Sequence, residues 1–182
     1  MKSKFDAIQH VVAELRESGD EAVSDVGVLL RALLTRPRRR LVLWIRLQEW
    51  LDATGKHSLA RLVSARIYSR YGCMISPTAR IGREIAFPHP VGIVIGDGAV
   101  VGDNCTIYQN VTLGRQSLGP GGYPTLGSRV VIFAGSQILG EIELADGVTV
   151  GALTLVTKSC LTPGSTLVGI PARALVAKKT EA

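Results

Sequence analysis

Aromatic residues, cysteines and long hydrophobic runs are all scarce in this sequence. Only 5% of the 182 residues are aromatic, so the core must pack mainly through aliphatic side chains. The three cysteines, Cys73, Cys105 and Cys160, show no CxxC pair and no His/Cys metal spacing, which argues against a disulfide scaffold and a zinc site. No apolar run reaches the roughly 18 residues of a membrane span, and no secretory signal is visible. We therefore expect a cytoplasmic protein without a bound metal.

Positive charge, in contrast, is in excess, and it is concentrated in the first part of the chain. The net charge is +6, and Arg36, Arg38, Arg39 and Arg40 are almost adjacent. This Arg36–Arg40 cluster has several interpretations: the solvated start of a helix, contact with an anionic surface, a phosphate-bearing ligand, or a partner subunit. The sequence has no nucleic-acid-binding module and no interleaved aromatic residues, so we expect no nucleic-acid partner.

Helical periodicity marks residues 1–72, which we interpret as an α-helical segment. Apolar residues recur at helical spacing from Asp25 to Leu34 and from Leu41 to Leu51. A further helix is predicted to be capped by Ser58, with Leu62, Ile67 and Tyr68 facing inward. The first two of these helices are separated by an Arg-Pro pair that breaks the pattern.

A period of six residues replaces the helical pattern over residues 73–175, and residues 176–182 form a short tail. Small or branched residues recur four positions after each aliphatic one, and glycine often follows it directly. A six-residue repeat of this kind is the signature of a parallel β-helix, in which three hexapeptides complete one triangular coil. The predicted inward positions are Ile75, Ile81, Phe87, Ile95, Val101, Ile107, Leu113, Leu126, Ile132, Ile138, Leu144, Val150, Val156 and, one step beyond Thr162, Val168.

The six-residue phase breaks twice, and both breaks carry polar residues. Between Phe87 and Ile95 the chain has two residues too many, and the excess contains Pro88-His89-Pro90. Between Leu113 and Leu126 it has seven too many, and the excess contains the Gly-rich stretch Arg115–Tyr123. Insertions in solenoids emerge as loops on one face, which is frequently the binding face. We therefore predict an active site between the two insertions.

Four motifs of the repeat region are informative together: residues 81–100, Val111-Thr-Leu-Gly114, Ile138-Leu-Gly140 and Val168-Gly-Ile-Pro-Ala-Arg173. They resemble the serine acetyltransferases, a family of hexapeptide-repeat acyltransferases. The resemblance implies a left-handed β-helix that forms a homotrimer, with further pairing of trimers through the helical segment as an open alternative. It implies acetyl-CoA as donor, a hydroxyl group as acceptor, and a binding groove between neighbouring subunits.

The same resemblance assigns candidate roles to individual residues. His89 matches the catalytic base, a role suited to histidine because its pKa lies near neutral pH. Its orienting partner stays open between a backbone carbonyl, Asp97, Asp103 and no partner at all. The candidate acceptor-binding residues are Asp97 and Tyr123, and the candidate acetyl-CoA-binding residues are Gly114, Arg115, Ala134, Ala152, Arg173 and Lys178.

Three positions depart from the family pattern and bear on the acceptor. Met74 and Pro88 stand where family members carry aspartates, and Tyr123 stands where they carry a second histidine. We therefore predict an O-acetyltransferase whose acceptor is a sugar or other small alcohol rather than L-serine. The alternatives are a genuine serine O-acetyltransferase of cysteine biosynthesis and a non-catalytic trimeric scaffold, and the sequence does not separate a hydroxyl from an amine acceptor.

Overall fold

The computed structural model of the chain describes residues 11–16, 22–34, 37–117 and 121–175. Residues 11–15 are helical, and three longer helices follow: α1 (Asp25–Leu34), α2 (Pro37–Ala53) and α3 (His57–Tyr71). The bounds of α1 are those predicted. Helix α2 begins a turn earlier than predicted, because Pro37 fits the first position of a helix, where its missing N–H costs no hydrogen bond. Within the described residues, none of the helices has the length and apolarity needed to cross a membrane.

Two predictions about α3 are wrong. Ser58 does not cap it: the cap position is Lys56, and no side chain bonds to the first N–H groups. Leu62 and Tyr68 do not face inward either, since they are 67% and 58% exposed. Ile67 does face inward as predicted, and the helix packs through it together with Ala60 and Tyr71. At about 100° per residue, Leu62 lies on the far side of the helix from that stripe.

The rest of the chain forms a left-handed parallel β-helix, as expected. Its strands are two or three residues long and stack into three sheets, which form the three faces of a prism. The first sheet contains β1 (Met74–Ile75), β3 (Val94–Ile95), β6 (Thr112–Gly114), β9 (Gln137–Leu139) and β12 (Leu155–Val156). The second contains β2 (Arg80–Ile81), β4 (Val100–Val101), β7 (Thr125–Leu126) and β10 (Glu143–Leu144). The third contains β5 (Thr106–Ile107), β8 (Val131–Ile132), β11 (Thr149–Val150), β13 (Thr166–Val168) and β14 (Arg173–Ala174).

Strand register confirms both predicted phase breaks. A regular coil places partners eighteen residues apart, as in the pairing of Val94 with Thr112. Across the first insertion the offset is twenty residues, from Met74 to Val94. Across the second it is twenty-five, from Val100 to Thr125. The two and seven extra residues therefore bulge out of the prism and leave the stacking of the coils intact.

The interior of the prism is narrow and aliphatic, which accounts for the low aromatic content. The small residues four positions after the inward aliphatic ones are buried as predicted, with Ser136 and Thr154 among them. Cys105 is fully buried, and Cys160 is partly buried. The inward positions from Ile75 to Val156 are buried throughout the repeat.

The last coil departs from the predicted phase. Leu144 pairs with Cys160, and Val150 pairs with Leu167, so Leu167 takes the inward position predicted for Val168. The shortening lies before Cys160, which stands sixteen residues after its partner Leu144, two fewer than in a regular coil. The exposed stretch that follows, with Thr162 and its proline, regains one residue, so Leu167 stands seventeen residues after Val150. Strand β14 then runs antiparallel to β13 and closes this end of the sheet.

A buried arginine fastens the helices to the first coil. Arg46 on α2 forms ion pairs with Glu14 at 2.8 Å and with Glu49 at 2.9 Å, and it donates hydrogen bonds to the carbonyl oxygens of Ile81 and Gly82. Burial alone lowers the pKa of Arg46, but the two carboxylates outweigh it and raise the pKa above its ordinary value. The helical segment is therefore held rigidly against the coil that leads into the His89 insertion.

Candidate active site

His89 lies at a corner of the prism, where the third sheet turns into the first. We call this the His89 corner; it comprises residues 88–92, 108–110, 133–135 and 151–153 of successive coils. The His89 side chain is exposed, and its carbonyl oxygen accepts a hydrogen bond from the N–H of Val91 at 2.8 Å. The two flanking prolines restrict the backbone on either side. The insertion thus presents its imidazole to solvent from a stiff, local turn.

Tyr108 packs against the imidazole from the next coil. The two ring centroids are 6.2 Å apart, with an interplanar angle of 49°. Tyr108 in turn stacks on Phe133, with centroids 5.1 Å apart and planes 19° from parallel. Sequence reasoning did not identify Tyr108 as part of the site. The available signal was its position: Tyr108 follows the inward Ile107, as the His89 insertion follows the inward Phe87 one coil earlier.

The two candidate carboxylate partners of His89 are engaged with turns of the β-helix. Asp97 accepts a hydrogen bond of 2.5 Å from the hydroxyl of Ser76. Asp103 accepts one of 2.7 Å from the backbone N–H of Arg83. Among the residues that the structure describes, the His89 ring makes no hydrogen bond. Packing on Tyr108 is therefore the contact that restrains the imidazole here.

The candidate acceptor residues Asp97 and Tyr123 lie together at a different corner, between the first and second sheets. We call this the loop corner; it comprises residues 76–78, 96–98, 114–117, 121–124 and 140–142. The Tyr123 ring lies directly on the backbone of Gly96, where a Cβ atom would come within 2.2 Å of it. The guanidinium of Arg115 sits 5.1 Å from the centroid of the same ring.

The described ends of the second insertion rest on the coil above. The side-chain oxygen of Gln116 lies beside Gly140, and Gly122 lies against the side chain of Glu141. A Cβ on Gly122 would come within 2.8 Å of that side chain, so the glycine permits a close approach. The middle of the loop, residues 118–120, falls outside the described part of the chain.

The candidate acetyl-CoA residues divide between these two corners. Ala134 and Ala152 lie on the His89 corner, one and two coils beyond Tyr108, whereas Gly114 and Arg115 lie on the loop corner. Arg173 is exposed on β14, and Lys178 lies outside the described residues. The first sheet separates the corners, so one chain presents two half-sites at opposite edges of one face. The described residues contain no group of His, Cys, Asp and Glu that could hold a metal ion.

Comparisons with known proteins find serine acetyltransferases. The chain is 40% identical over 144 residues to a serine acetyltransferase of Helicobacter pylori, covering 79% of this chain and 84% of that one. It is 37% identical over 147 residues to that of Synechococcus elongatus, covering 80% and 60%. It superposes on the Brucella abortus serine acetyltransferase in complex with coenzyme A with a TM-score of 0.78 and 28% identity, covering 96% of this chain and 68% of that one.

Two further facts qualify these likenesses. The chain spans only 47% to 60% of the length of several curated relatives, including those of Synechococcus elongatus and Buchnera aphidicola. No family model matches the chain.

Proposed function

The chain belongs to the serine acetyltransferase family, and we propose that it transfers the acetyl group of acetyl-CoA to a hydroxyl group, with L-serine as the first acceptor to test. The observation that carries this proposal is the exposed His89 on a stiff turn at one corner of the β-helix, restrained by Tyr108. A histidine in that setting suits a general base that must meet a substrate from solvent.

The proposed chemistry needs few groups from the protein. His89 takes the proton of the acceptor hydroxyl while the hydroxyl oxygen attacks the thioester carbonyl carbon. The carbon–oxygen bond forms, the carbon–sulfur bond breaks, and the imidazolium returns its proton to the departing thiolate. A backbone N–H near Gly114 is the proposed donor to the oxyanion, a contribution that is typically large in acyl transfer. Acetyl-CoA supplies the activated acetyl group when bound.

The shape of the His89 corner fits a thin acyl-carrying arm. Ala134 and Ala152 succeed one another beyond Tyr108, and both are small and partly or fully exposed. An extended arm that passes these two alanines along the stacked coils would reach the corner that carries His89. We assign the arm of acetyl-CoA to this path, with Arg173 at the end of the prism as a candidate contact for its phosphates.

A homotrimer would complete the site. In one chain, His89 and the loop-corner residues Asp97, Arg115 and Tyr123 lie at opposite edges of the first sheet. Closed threefold symmetry places the His89 corner of each copy beside the loop corner of the next. Each trimer then contains three sites, each built from two copies.

A second candidate acceptor is a sugar or another small alcohol. Neither Met74, which is 58% exposed, nor Pro88 can offer a carboxylate to the ammonium group of an amino acid. Tyr123 offers an aromatic surface instead of an imidazole. The names of the relatives favour L-serine, whereas these side chains favour a neutral or anionic alcohol. Release of free thiol from acetyl-CoA should be measured with L-serine, sugars, amino sugars and simple alcohols. The acceptor with the highest kcat/KM decides between L-serine and a sugar or other small alcohol.

His89→Ala tests the catalytic role directly. Loss of a general base typically lowers kcat by about 10²–10⁴-fold, and this surface change should leave the fold intact. His57→Ala is the matched control, because His57 is an exposed helical histidine that bonds only to Asp52 at 2.8 Å. Turnover should be measured on the best acceptor, with circular dichroism and sedimentation as checks of folding. If His89→Ala keeps more than half of the wild-type activity, His89 is not the base.

A further inference from the structure

Arg115 lies over the ring of Tyr123 at the loop corner. Its guanidinium carbon is 5.1 Å from the ring centroid. The Arg115 side chain is exposed, and within the part of the chain that the structure describes it forms neither a hydrogen bond nor an ion pair. A cation–π contact uses the charge of the guanidinium and none of its five N–H donors. Those donors are therefore available to a ligand that approaches this corner.

The Tyr123 ring is seated on the prism and gives the guanidinium a defined place. A Cβ atom on Gly96 would come within 2.2 Å of the ring and one on Gly98 within 3.8 Å, so the ring covers the backbone on both sides of Asp97. Tyr123 belongs to the insertion after β6, but Gly96 lies one coil earlier, on the coil that carries Tyr108. The ring therefore reaches back toward the level of Tyr108, one coil from the candidate base.

A carboxylate lies on the backbone beneath the same ring. One oxygen of Asp97 accepts a hydrogen bond of 2.5 Å from Ser76, and the other has no hydrogen-bond partner among the described residues. Glu141 is exposed beside Gly122, and in the described structure it forms no ion pair with Arg115. The loop corner thus offers a guanidinium to a negative group and a carboxylate oxygen to a positive one.

Acetyl-CoA is a poorer match for the donors of Arg115 than the acceptor is. The path assigned to its arm passes the two alanines of the His89 corner and leads toward Arg173 at the end of the prism. Its phosphates would then lie beyond these alanines, whereas the Tyr123 ring reaches back in the opposite direction, onto Gly96. Arg115, which the resemblance groups with acetyl-CoA, therefore lies on the acceptor side by position.

We propose that Arg115 binds a carboxylate group of the acceptor and thereby sets the acceptor specificity. The proposal rests on the proposed acetyl transfer and names its substrate class: an alcohol that carries a carboxylate. The planar guanidinium can donate to both oxygens of such a group, and the loop corner of one copy then presents the acceptor hydroxyl to His89 of the next. The second oxygen of Asp97 suits an ammonium group, which favours an amino acid over a hydroxy acid as the source of the carboxylate.

Substitution of Arg115 tests the assignment through the two Michaelis constants. Arg115→Gln should raise the KM for L-serine at least about tenfold, because it removes a charge-assisted pair, and leave the KM for acetyl-CoA within twofold of wild type. Arg115→Lys keeps the charge without the planar fork, so its KM for L-serine should fall between the two. A rise in the KM for acetyl-CoA as large as that for L-serine, or no rise in the KM for L-serine, would overturn the proposal.

Arg129→Gln is the matched control. Arg129 is an exposed arginine at the remaining corner of the prism, between the second and third sheets, where it pairs with Asp146 at 3.3 Å. Both Michaelis constants of this variant should stay within twofold of wild type, because the change removes one surface charge without touching the loop corner.

Matched acceptors identify the group that Arg115 binds. L-serinamide lacks the carboxylate of L-serine, and glycerol lacks that of glycerate. The carboxylate-bearing member of at least one pair should have a kcat/KM at least about tenfold higher, and Arg115→Gln should remove that advantage. A preference for L-serine that Asp97→Asn weakens identifies an amino acid as the source, and a preference for glycerate that Asp97→Asn leaves intact identifies a hydroxy acid. No preference in either pair would overturn the proposal.

Binding without turnover separates this proposal from the proposed acetyl transfer. Isothermal titration should show that L-serine or glycerate binds to the wild-type protein, and Arg115→Gln should weaken that binding at least about tenfold. If an acceptor is acetylated in a His89-dependent way and Arg115→Gln leaves its KM unchanged, the carboxylate proposal fails and the acetyl transfer stands. If a carboxylate binds through Arg115 but no hydroxyl is acetylated, the transfer is refuted and the binding site stands.

Discussion

The candidate base, His89, has its ring contact with Tyr108 of the next coil. Because the described residues offer the imidazole no hydrogen bond, its orientation depends on an aromatic face. That face is itself braced by Phe133 on the following coil. A misplaced reactive group can cost up to about a hundredfold in rate, so packing of this kind matters for catalysis even without proton transfer.

Tyr108→Ala should therefore lower kcat by about tenfold and leave the KM for acetyl-CoA nearly unchanged. Tyr108→Phe keeps the ring and should stay within about threefold of wild type, which separates the ring from the hydroxyl. Tyr68→Ala is the control, because Tyr68 is an exposed helical tyrosine far from the site. Steady-state kinetics on the best acceptor would measure all three variants. An equal loss for Phe and Ala would show that the hydroxyl, and not ring packing, is what His89 needs.

The cysteines give a second test at the scale of single residues. Cys73 and Cys105 are fully buried, and burial raises the pKa of both thiols. A raised pKa leaves less thiolate at neutral pH, and the thiolate is the form that reacts. Cys160 is partly exposed. Iodoacetamide near neutral pH should thus alkylate Cys160 first, and mass spectrometry should find Cys73 and Cys105 modified only after unfolding. Early modification of either buried thiol would contradict the packing of the prism.

At the scale of elements, the sequence was informative wherever one residue type repeats at a fixed step. The inward aliphatic residues predicted both insertions correctly, because each inward position stacks on its counterparts and a break in the step must bulge outward. The prediction failed at Val168, because the chain loses two residues of the repeat before Cys160 and Leu167 takes the inward position. It also failed for Leu62 on α3, since the face that a helix buries depends on its neighbours and not on its own pattern alone.

The candidate site, too, was predictable from the sequence only in part. His89 was predictable because it lies in a break of the repeat. The packing of Tyr108 on His89 depends on the register between coils. This arrangement does not follow from local spacing, because it is made by residues that only the folded chain brings together.

The extruded loop supplies a prediction at the element scale. Deleting residues 116–122 removes seven residues and joins Arg115 to Tyr123, which should restore the regular eighteen-residue coil seen between Thr125 and Glu143. The protein should stay folded by circular dichroism. If the loop covers the bound thioester and excludes water, the KM for acetyl-CoA should rise and kcat should fall. Values of both constants within twofold of wild type would mean that the loop is a passive surface insertion.

At the scale of the whole molecule, the candidate residues lie in two groups at opposite edges of the first sheet, so the proposed chemistry calls for a neighbouring copy. A chain acting alone would hold His89 at one corner and the Tyr123–Arg115 pair at another, with a strand of the sheet between them. The proposed trimer removes this separation by symmetry and makes every site depend on two copies.

Mixing two inactive variants tests this arrangement. His89→Ala lacks the base but has an intact loop corner, whereas a subunit with Asp97→Ala and Tyr123→Ala lacks the loop corner but has His89. Each should be a folded, weakly active trimer alone. In any mixed trimer, one of the three interfaces pairs an intact His89 corner with an intact loop corner. Because random equal mixing also produces unmixed trimers, which restore no site, about one quarter of all sites should be restored. Co-expression with two different tags would isolate the mixed trimers, and their turnover would be compared with that of each parent. If tagged mixed trimers form and show no more activity than their parents, each site is built within a single chain.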